Sequence, residues 1–220
     1  MTSNDTPAAA SAPSAHVLAR ALATRIALKS DAAHAPRVLV LGIGSGRNLP
    51  PLLAAGLHVD AVDDDAERVR ILTARFAPDA RVRVAHASYA GPFGAAYDGA
   101  LSTHAFLHGD ERAARAALAA TRRALRTGAP LCATFGSTID PRYGSGRRID
   151  GATFAPLVGP ETGIPHVYFD ESRLRAILED FTIESIEETR AAEHVGTWAH
   201  DPGDAATIVH WFVRATARER

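Results

Sequence analysis

The feature that most constrains the fold is a glycine-rich turn that directly follows an apolar segment. The segment 37–41 has the composition of a buried strand, and it runs into Gly42-Ile43-Gly44-Ser45-Gly46. Glycines allow a sharp turn and a close approach of the backbone to a ligand, and the amides at the start of the next helix face that ligand. Nineteen residues after Gly44, a second apolar segment ends in Asp63-Asp64-Asp65. A Rossmann-like fold has its acceptor for ribose hydroxyls at this distance, so the pattern predicts a site for a nucleotide-like ligand.

The spacing of the glycines narrows the class of ligand. The dinucleotide-binding fingerprint is G-x-G-x-x-G, whereas this turn reads G-x-G-x-G and has Arg47 where the third glycine of the fingerprint would be. A Walker loop is excluded because no Gly-Lys-Ser or Gly-Lys-Thr follows. A turn that merely joins a strand to a helix is the alternative. The three glycines, the preceding apolar segment and the acid at the expected distance together favour a binding site.

Composition sets the class of protein. A chain of 220 residues, 46% of them hydrophobic and 22% charged, suits one α/β domain with a full core. The net charge of −1 gives no electrostatic reason to bind nucleic acid or an anionic membrane. The single cysteine, Cys132, excludes a disulfide framework and a cysteine-based zinc cluster. Residues 1–15 lack the features of a signal peptide, so we expect a disordered tail, a single domain over 16–220 and a cytoplasmic location.

Apolar periodicity predicts strands that alternate with helices, which is typical of a parallel sheet covered on both faces. The predicted helices are 16–29, 47–55, 66–76, 110–126 and 171–179. The predicted strands are 37–41, 57–62, 81–85, 98–102, 131–135, 182–189 and 206–215. Residues 136–166 break this pattern with six glycines and four prolines. We expect residues 137–165 to form a lid-like segment over a bound substrate.

Three segments resemble one known family. Val38–Asn48, in which the glycine turn continues into Arg47-Asn48, is similar to the first motif of the small tellurite-resistance-type methyltransferases of class I. Ala54–Asp63 resembles the second motif of this family, and Tyr97–His108 resembles its fourth-strand motif. The resemblance implies a Rossmann-like seven-stranded methyltransferase fold, with a mostly parallel sheet and a C-terminal antiparallel hairpin. It also implies S-adenosyl-L-methionine as the cofactor, a small-molecule acceptor, and no nucleic-acid or membrane partner.

The resemblance places the cofactor along the glycine turn and the ends of the next strands. The residues expected to bind it are Gly42, Ile43, Gly44, Gly46, Asn48, Asp63, Asp64, His86, Ala87 and Ser102. Two positions depart from the pattern of the family. Val40 replaces an acid that precedes the first glycine, and His86 replaces an acid near the adenine amino group. Each hydrogen bond lost in this way is worth about 0.5–1.5 kcal/mol.

Polar residues after the fourth strand and in the lid-like segment form the candidate acceptor site. His104 is the candidate general base because imidazole takes up a proton near neutral pH, and ordinary lining of the pocket is the alternative. The residues expected near the acceptor are Thr103, His108, Tyr143, Arg147, His166 and His194. The spacing of His104 and His108 permits metal binding, but no third ligand is evident in the sequence, so we assign no metal ligand.

The sequence therefore predicts methyl transfer to a small molecule. The acceptor is left open between a chalcogen oxyanion, a thiol, and an oxygen or nitrogen atom of a metabolite. Two other classes stay as alternatives. Val40 and His86 suggest a degenerate module that binds the cofactor without turnover, and a nicotinamide-dependent oxidoreductase is disfavoured by Arg47.

Overall fold

The computed structural model describes residues 15–29, 35–94, 96–159, 161–190 and 208–219, which form the predicted α/β fold. The helices are α1 (Val17–Ala27), α2 (Leu49–Ala54), α3 (Ala66–Phe76), α4 (Glu111–Ala124) and α5 (Glu171–Ile177), with a 3₁₀ turn at Ala105–Leu107. The strands are β1 (Arg37–Leu41), β2 (His58–Asp63), β3 (Val82–His86), β4 (Gly99–Ser102), β5 (Pro130–Ser137), β6 (Arg147–Arg148), β7 (Thr153–Ala155), β8 (His166–Phe169), β9 (Phe181–Arg190) and β10 (Val209–Ala217).

Seven of the strands form the expected mostly parallel sheet. Strands β3, β2, β1, β4 and β5 lie side by side in that order and are all parallel. Strand β10 pairs with β5 in the antiparallel sense, and β9 pairs with β10 in the same sense. The two strands close the sheet as the predicted C-terminal antiparallel hairpin.

The segment 137–165, expected to be lid-like, contains two short strands, β6 and β7, and a third, β8, follows it directly. Strand β6 pairs with β7, and β7 pairs with β8, in both cases antiparallel. A Cβ at Gly146 would collide with the carbonyl oxygen of Ala155, so this glycine permits the close pairing of β6 with β7. The sequence does not indicate these strands, because strands of two to four residues are too short to show an apolar period.

Strand β8 lies beyond the carboxyl end of β4. Gly136 of β5 pairs with His210 of β10 and also with Tyr168 of β8. A strand has two edges for pairing, so β8 occupies the edge of β5 that β4 occupies at residues 131–133. The small sheet formed by β6, β7 and β8 therefore stands over the loop that follows β4.

Helices cover both faces of the main sheet. Leu39 and Leu41 of β1 belong to the apolar cluster that contains residues of α4 and α5. Val38 and Val40 point to the opposite face and pack with residues of α1, α2 and α3. The alternation follows from the two-residue period of a strand, and it makes β1 a buried central strand that ends at the glycine turn.

Three helices begin at an aspartate whose carboxylate accepts a hydrogen bond from a backbone amide in the first turn. Asp65, Asp110 and Asp170 cap α3, α4 and α5, respectively. Such caps stabilise a helix by about 1 kcal/mol each, because they satisfy amides that have no partner within the helix.

None of the helices in the described parts of the chain is long and apolar enough to cross a bilayer. Apart from Ala15, the tail predicted over residues 1–15 lies outside the described residues.

Candidate functional site

The glycine turn leaves the backbone open to a ligand at one position only. Gly42, Gly44 and Gly46 have φ angles of 77°, 53° and 76°, in the left-handed region that favours glycine. A Cβ at Gly42 would lie 2.7 Å from the Cβ of Ala105, and a Cβ at Gly46 would lie 2.8 Å from a ring carbon of Phe76. A Cβ at Gly44 would meet no atom within 4 Å. Gly42 and Gly46 thus allow close packing within the protein, whereas Gly44 faces open space.

The two acids after β2 have different environments. Asp63 is buried, and its carboxylate accepts hydrogen bonds from the amides of Gly44 at 3.3 Å and Asp65 at 3.1 Å, with Arg68 at 3.2 Å. Asp64 is exposed beside the turn. Asp63 therefore holds the amide of Gly44 in place, whereas Asp64 has an exposed side chain.

His86 and Ala87 lie next to these acids. His86 at the end of β3 pairs with Asp63 across the sheet, and its Nε2 lies 3.1 Å from the carbonyl oxygen of Asp64. A carbonyl oxygen only accepts, so Nε2 carries the proton in this contact and leaves Nδ1 as an acceptor. The amide of Ala87 donates to the carbonyl oxygen of Asp63 at 3.1 Å.

Tyr89 is a residue that the sequence analysis missed. Its hydroxyl donates to the Asp64 carboxylate at 3.1 Å, and it would lie 3.7 Å from a Cβ at Gly42. Burial, together with the charges of Asp63 and Asp64, raises the pKa of Tyr89 well above its usual range, so the hydroxyl stays protonated. A tyrosine five residues beyond the middle of an ordinary strand carries no motif, and only the fold shows that it borders the turn.

Asn48 and Thr103 use their side chains within the protein. The Asn48 amide nitrogen donates to the Thr103 hydroxyl at 2.8 Å, and the Asn48 oxygen accepts the amide of His16 at 2.9 Å. Both residues are buried, and the bonds join α1 to the loop after β4. Ser102 differs, because its hydroxyl is buried and has no hydrogen-bond partner among the described residues. Leu41 and Ser102 pair across β1 and β4, so this hydroxyl lies beside the start of the glycine turn.

His104 has an unusual backbone conformation at the end of β4. Its φ of 73° is the one positive value at a non-glycine residue in the described parts of the chain. Such a conformation costs about 1–2 kcal/mol and is found mainly at functional positions. The amide of His104 donates to the Thr134 hydroxyl at 2.8 Å, which stabilises the turn.

Burial lowers the pKa of His104 well below 6.5, and the neighbouring imidazoles of His210 and His16 lower it further. The ring centroids of these two neighbours lie 5.1 Å and 6.0 Å away, respectively. A neutral imidazole is able to accept a proton, but one with a strongly lowered pKa is a weak base.

His210 lies in β10 and is fully buried. Its Nε2 lies 3.2 Å from a guanidinium nitrogen of Arg142, which only donates, so Nε2 is the acceptor. Burial and the Arg142 charge lower the pKa of His210 to about 3. Arg142 is in turn paired with the buried Asp140 at 2.8 Å.

Arg47 is a buried cation at the start of the helix that follows the turn. Its residue exposure is 9%, and loss of hydration lowers the pKa of its guanidinium to about 10. Its charge is among those that lower the pKa of His104, so it lies within electrostatic reach of that ring. In the sequence, Arg47 indicates only that a dinucleotide site is disfavoured, since the spacing of the glycines does not show which way its side chain turns.

His108 and His166 are brought together with Glu161, which was not a predicted site residue. His108 Nε2 lies 3.5 Å from one carboxylate oxygen of Glu161, and His166 Nε2 lies 3.2 Å from the other. The two imidazoles hold the pKa of Glu161 well below its usual range, although burial alone would raise it.

Among the described residues, the predicted acceptor residues Tyr143 and Arg147 lie apart from this group. Tyr143 packs edge-on against Phe154 and Tyr168, with ring centroids 5.3 Å and 5.7 Å away. Arg147 is exposed in β6, which is three strand spacings, about 14 Å, from β5. His194 lies outside the described residues.

Comparisons with known proteins agree with this architecture. Residues 38–128 match the family model described as a methyltransferase domain. No curated protein matches the chain in sequence.

Solved structures of low identity share the fold. The 1,6-didemethyltoxoflavin-N1-methyltransferase of Burkholderia thailandensis, solved with 1,6-didemethyltoxoflavin and S-adenosylhomocysteine, has a TM-score of 0.62 at 20% identity over 93% of this chain and 80% of that chain. A SAM-dependent methyltransferase from Methanosarcina mazei has a TM-score of 0.65 at 18% identity over 84% and 94%. The [4+2]-cyclase SpnF has a TM-score of 0.60 at 15% identity over 91% and 82%.

Proposed function

We propose that this class I methyltransferase transfers a methyl group from S-adenosyl-L-methionine to a small molecule held at the carboxyl ends of β4 and β5. The observation that carries the proposal is the open backbone at Gly44, flanked by the exposed Asp64 and by His86. All three residues lie within the segment that matches the methyltransferase domain. In open α/β sheets, ligands bind at this end of the strands.

The residues around the turn fit the cofactor. Gly44 has room for a ligand where any side chain would project, and the buried Ser102 hydroxyl has no hydrogen-bond partner among the described residues. A buried hydroxyl without a partner is costly, so a polar ligand group beside Ser102 would stabilise it.

We assign parts of the cofactor to the residues that match them chemically. His86 and Ala87 border the adenine, and Nδ1 of His86 accepts a hydrogen bond from the adenine amino group. Asp64 accepts the ribose hydroxyls, and Asp63 keeps the Gly44 amide in position. Arg47, a cation with little hydration, pairs with the carboxylate of the methionine part.

When bound, S-adenosyl-L-methionine supplies a methyl group on a positively charged sulfur, which is a good leaving group. The chain contributes position and the exclusion of water, which account for much of the acceleration when reactants are held in line. His104 lies where the acceptor would bind, and its lowered pKa makes it a weak base. We therefore favour acceptors whose reacting atom is readily ionised, such as a chalcogen oxyanion or a thiol, over a protonated amine.

Binding without turnover is the second candidate function. Val40, buried between Ala61 and Leu101 in the sheet, offers no carboxylate at the position before the turn. The likeness to a cyclase shows that this fold also hosts other chemistry.

A methyl-transfer assay separates the two functions. Labelled S-adenosyl-L-methionine is incubated with the full chain and with a thiol, a chalcogen oxyanion, a phenol or an amine. We expect labelled product and S-adenosylhomocysteine with one or two of these classes. Calorimetric binding of the cofactor without transfer to any class would favour the binding module, and binding of NAD in its place would favour an oxidoreductase.

A further inference from the structure

Three side chains from distant parts of the chain converge above the loop that follows β4. His108 ends the 3₁₀ turn after β4, Glu161 lies in the turn between β7 and β8, and His166 begins β8. One ligand atom from each residue lies within 4.8 Å of the other two. The imidazole rings are nearly perpendicular, at 86°, with centroids 5.0 Å apart.

Several nitrogens of this group make no hydrogen bond within the described parts of the chain. His108 Nε2 and both ring nitrogens of His166 are buried and have no hydrogen-bond partner among the described residues. The Nε2 atoms of His108 and His166 contact the Glu161 carboxylate as ion-pair partners, at 3.5 Å and 3.2 Å. Burying polar atoms without partners is costly, so the arrangement is explained if the nitrogens bind something else.

The spacing of the atoms suits a metal ion. Bonds of 2.0–2.1 Å in a tetrahedral zinc site place neighbouring ligand atoms about 3.4 Å apart. His108 Nε2 lies 3.5 Å from one oxygen of Glu161 and His166 Nε2 lies 3.2 Å from the other, and one ligand atom from each residue lies within 4.8 Å of the other two. Imidazole suits Zn²⁺, Fe²⁺, Co²⁺ and Ni²⁺, whereas Mg²⁺ and Ca²⁺ prefer oxygen ligands. We propose that His108, Glu161 and His166 bind a divalent transition-metal ion of the Zn²⁺ type.

The backbone holds the three ligands in place. His108 and His166 form an antiparallel β-bridge, and the amide of Gly109 donates to the carbonyl oxygen of Pro165 at 2.8 Å. The amide of Ile164 donates to the carbonyl oxygen of Glu161 at 3.1 Å, which closes the turn that carries the carboxylate. The site is thus formed before an ion arrives, so little ordering is needed on binding.

The position of the site gives the ion a role. Three protein ligands leave at least one coordination position for water or a substrate atom, as in catalytic zinc sites. The site is one 3₁₀ turn away from His104, beside the proposed acceptor. A metal there would bind an anionic acceptor atom and lower its pKa, which compensates for a weak base. This role rests on the proposed function, whereas metal binding itself does not.

The test uses the full chain without an affinity tag, freed of metal by a chelator. Co²⁺ is titrated while its visible absorption is followed, and Zn²⁺ binding is measured by calorimetry. We expect one equivalent to bind, and we expect Glu161→Gln and His108→Ala each to weaken Zn²⁺ binding at least tenfold. His58→Gln is the matched control, because His58 is the first residue of β2 and so lies at the end of the sheet away from the proposed metal site. Excess Mg²⁺ should not compete.

Two readouts keep the test decisive. One equivalent of Zn²⁺ should raise the Tm of the wild type and of His58→Gln, but not that of Glu161→Gln. Binding that is equal in every variant would assign the ion to other histidines and overturn the proposal, as would the absence of stoichiometric binding. Should Glu161→Gln fail to fold, the partly exposed His108→Ala decides. S-adenosylhomocysteine binding, measured on the same preparations, tests the proposed function separately.

Discussion

A single methyl group at Gly44 tests the cofactor site with an internal control for backbone strain. Gly44→Ala adds a Cβ that meets no protein atom within 4 Å, so it creates no clash in the free protein. Gly56 is its counterpart: it also has a positive φ, of 78°, and open space at the Cβ position, but it lies at the end of α2, away from the site. Both variants therefore place an alanine in the left-handed region. They differ in that a bound cofactor would lie against residue 44 and not against residue 56.

The expected magnitudes follow from that comparison. Alanine in the left-handed region costs about 1–2 kcal/mol, which for a protein of this size lowers Tm by about 2–8 °C. Both variants should show this loss. Only Gly44→Ala should also lose cofactor affinity, because a ligand packed on the turn meets the new methyl group. Overpacking of this kind costs about 1–3 kcal/mol, which corresponds to roughly a 5- to 150-fold rise in Kd.

Gly42 and Gly46 are poor sites for this test. A Cβ at either position would lie within 3 Å of Ala105 or Phe76, so loss of binding would be confounded by damage to the fold. The assay is calorimetry with S-adenosylhomocysteine, together with thermal unfolding of both variants. Equal cofactor affinity in Gly44→Ala and Gly56→Ala would refute the idea that the ligand packs against the glycine turn.

Three further outcomes are expected. Asp64→Ala should weaken S-adenosylhomocysteine binding in calorimetry by about 1.5–3 kcal/mol with little change in Tm. Asp63→Ala should lower both affinity and Tm, because it removes the buried carboxylate that accepts from the Gly44 and Asp65 amides; equal Tm values for the two variants in thermal unfolding would contradict this difference. The pKa of about 3 for buried His210 lies below the unfolded value, so the unfolded state binds more protons and the free energy of unfolding falls as the pH drops below about 6.5. Its contribution is up to about 1.4 kcal/mol per pH unit, and His210→Gln should show a correspondingly shallower slope in urea unfolding between pH 4.5 and 7.5. Limited proteolysis should cut the exposed turn around Leu157 and Val158 in the free protein and more slowly with cofactor and acceptor present; an identical pattern in both states would remove this segment as a lid.

The sequence predicts the main sheet because its signals are local. Segment 37–41 is apolar throughout and stops at a glycine, so both the strand and its end are visible. Helix 66–76 follows an aspartate that caps it, and its bounds agree with α3. Such signals need no knowledge of what the segment packs against.

The small sheet of β6, β7 and β8 depends on contacts that the sequence does not show. Strand β8 exists because Gly136 leaves room at the end of β5, where a Cβ would meet the carbonyl oxygen of Val167 at 2.7 Å. A glycine in the sequence predicts a turn as readily as a close approach between strands. The glycines and prolines of this segment therefore indicated a loop where they serve short paired strands.

The site shows the same limit at the level of single side chains. Asp63 and Asp64 are adjacent acids, and only the fold shows that the first turns inward to the Gly44 amide and the second stays exposed. Asn48 and Thr103 carry suitable groups but bond to each other. Glu161 contacts His108 although the two residues are 53 positions apart along the chain. No rule of sequence spacing predicts that contact.

A crystal structure of the chain with S-adenosylhomocysteine tests the central claim most directly. The account predicts that the ligand lies against Gly44, with its adenine at His86 and Ala87, its ribose hydroxyls at Asp64, and its sulfur directed towards the loop that holds His104. A ligand bound at another edge of the sheet, or a turn that stays empty at saturating ligand concentration, would contradict it.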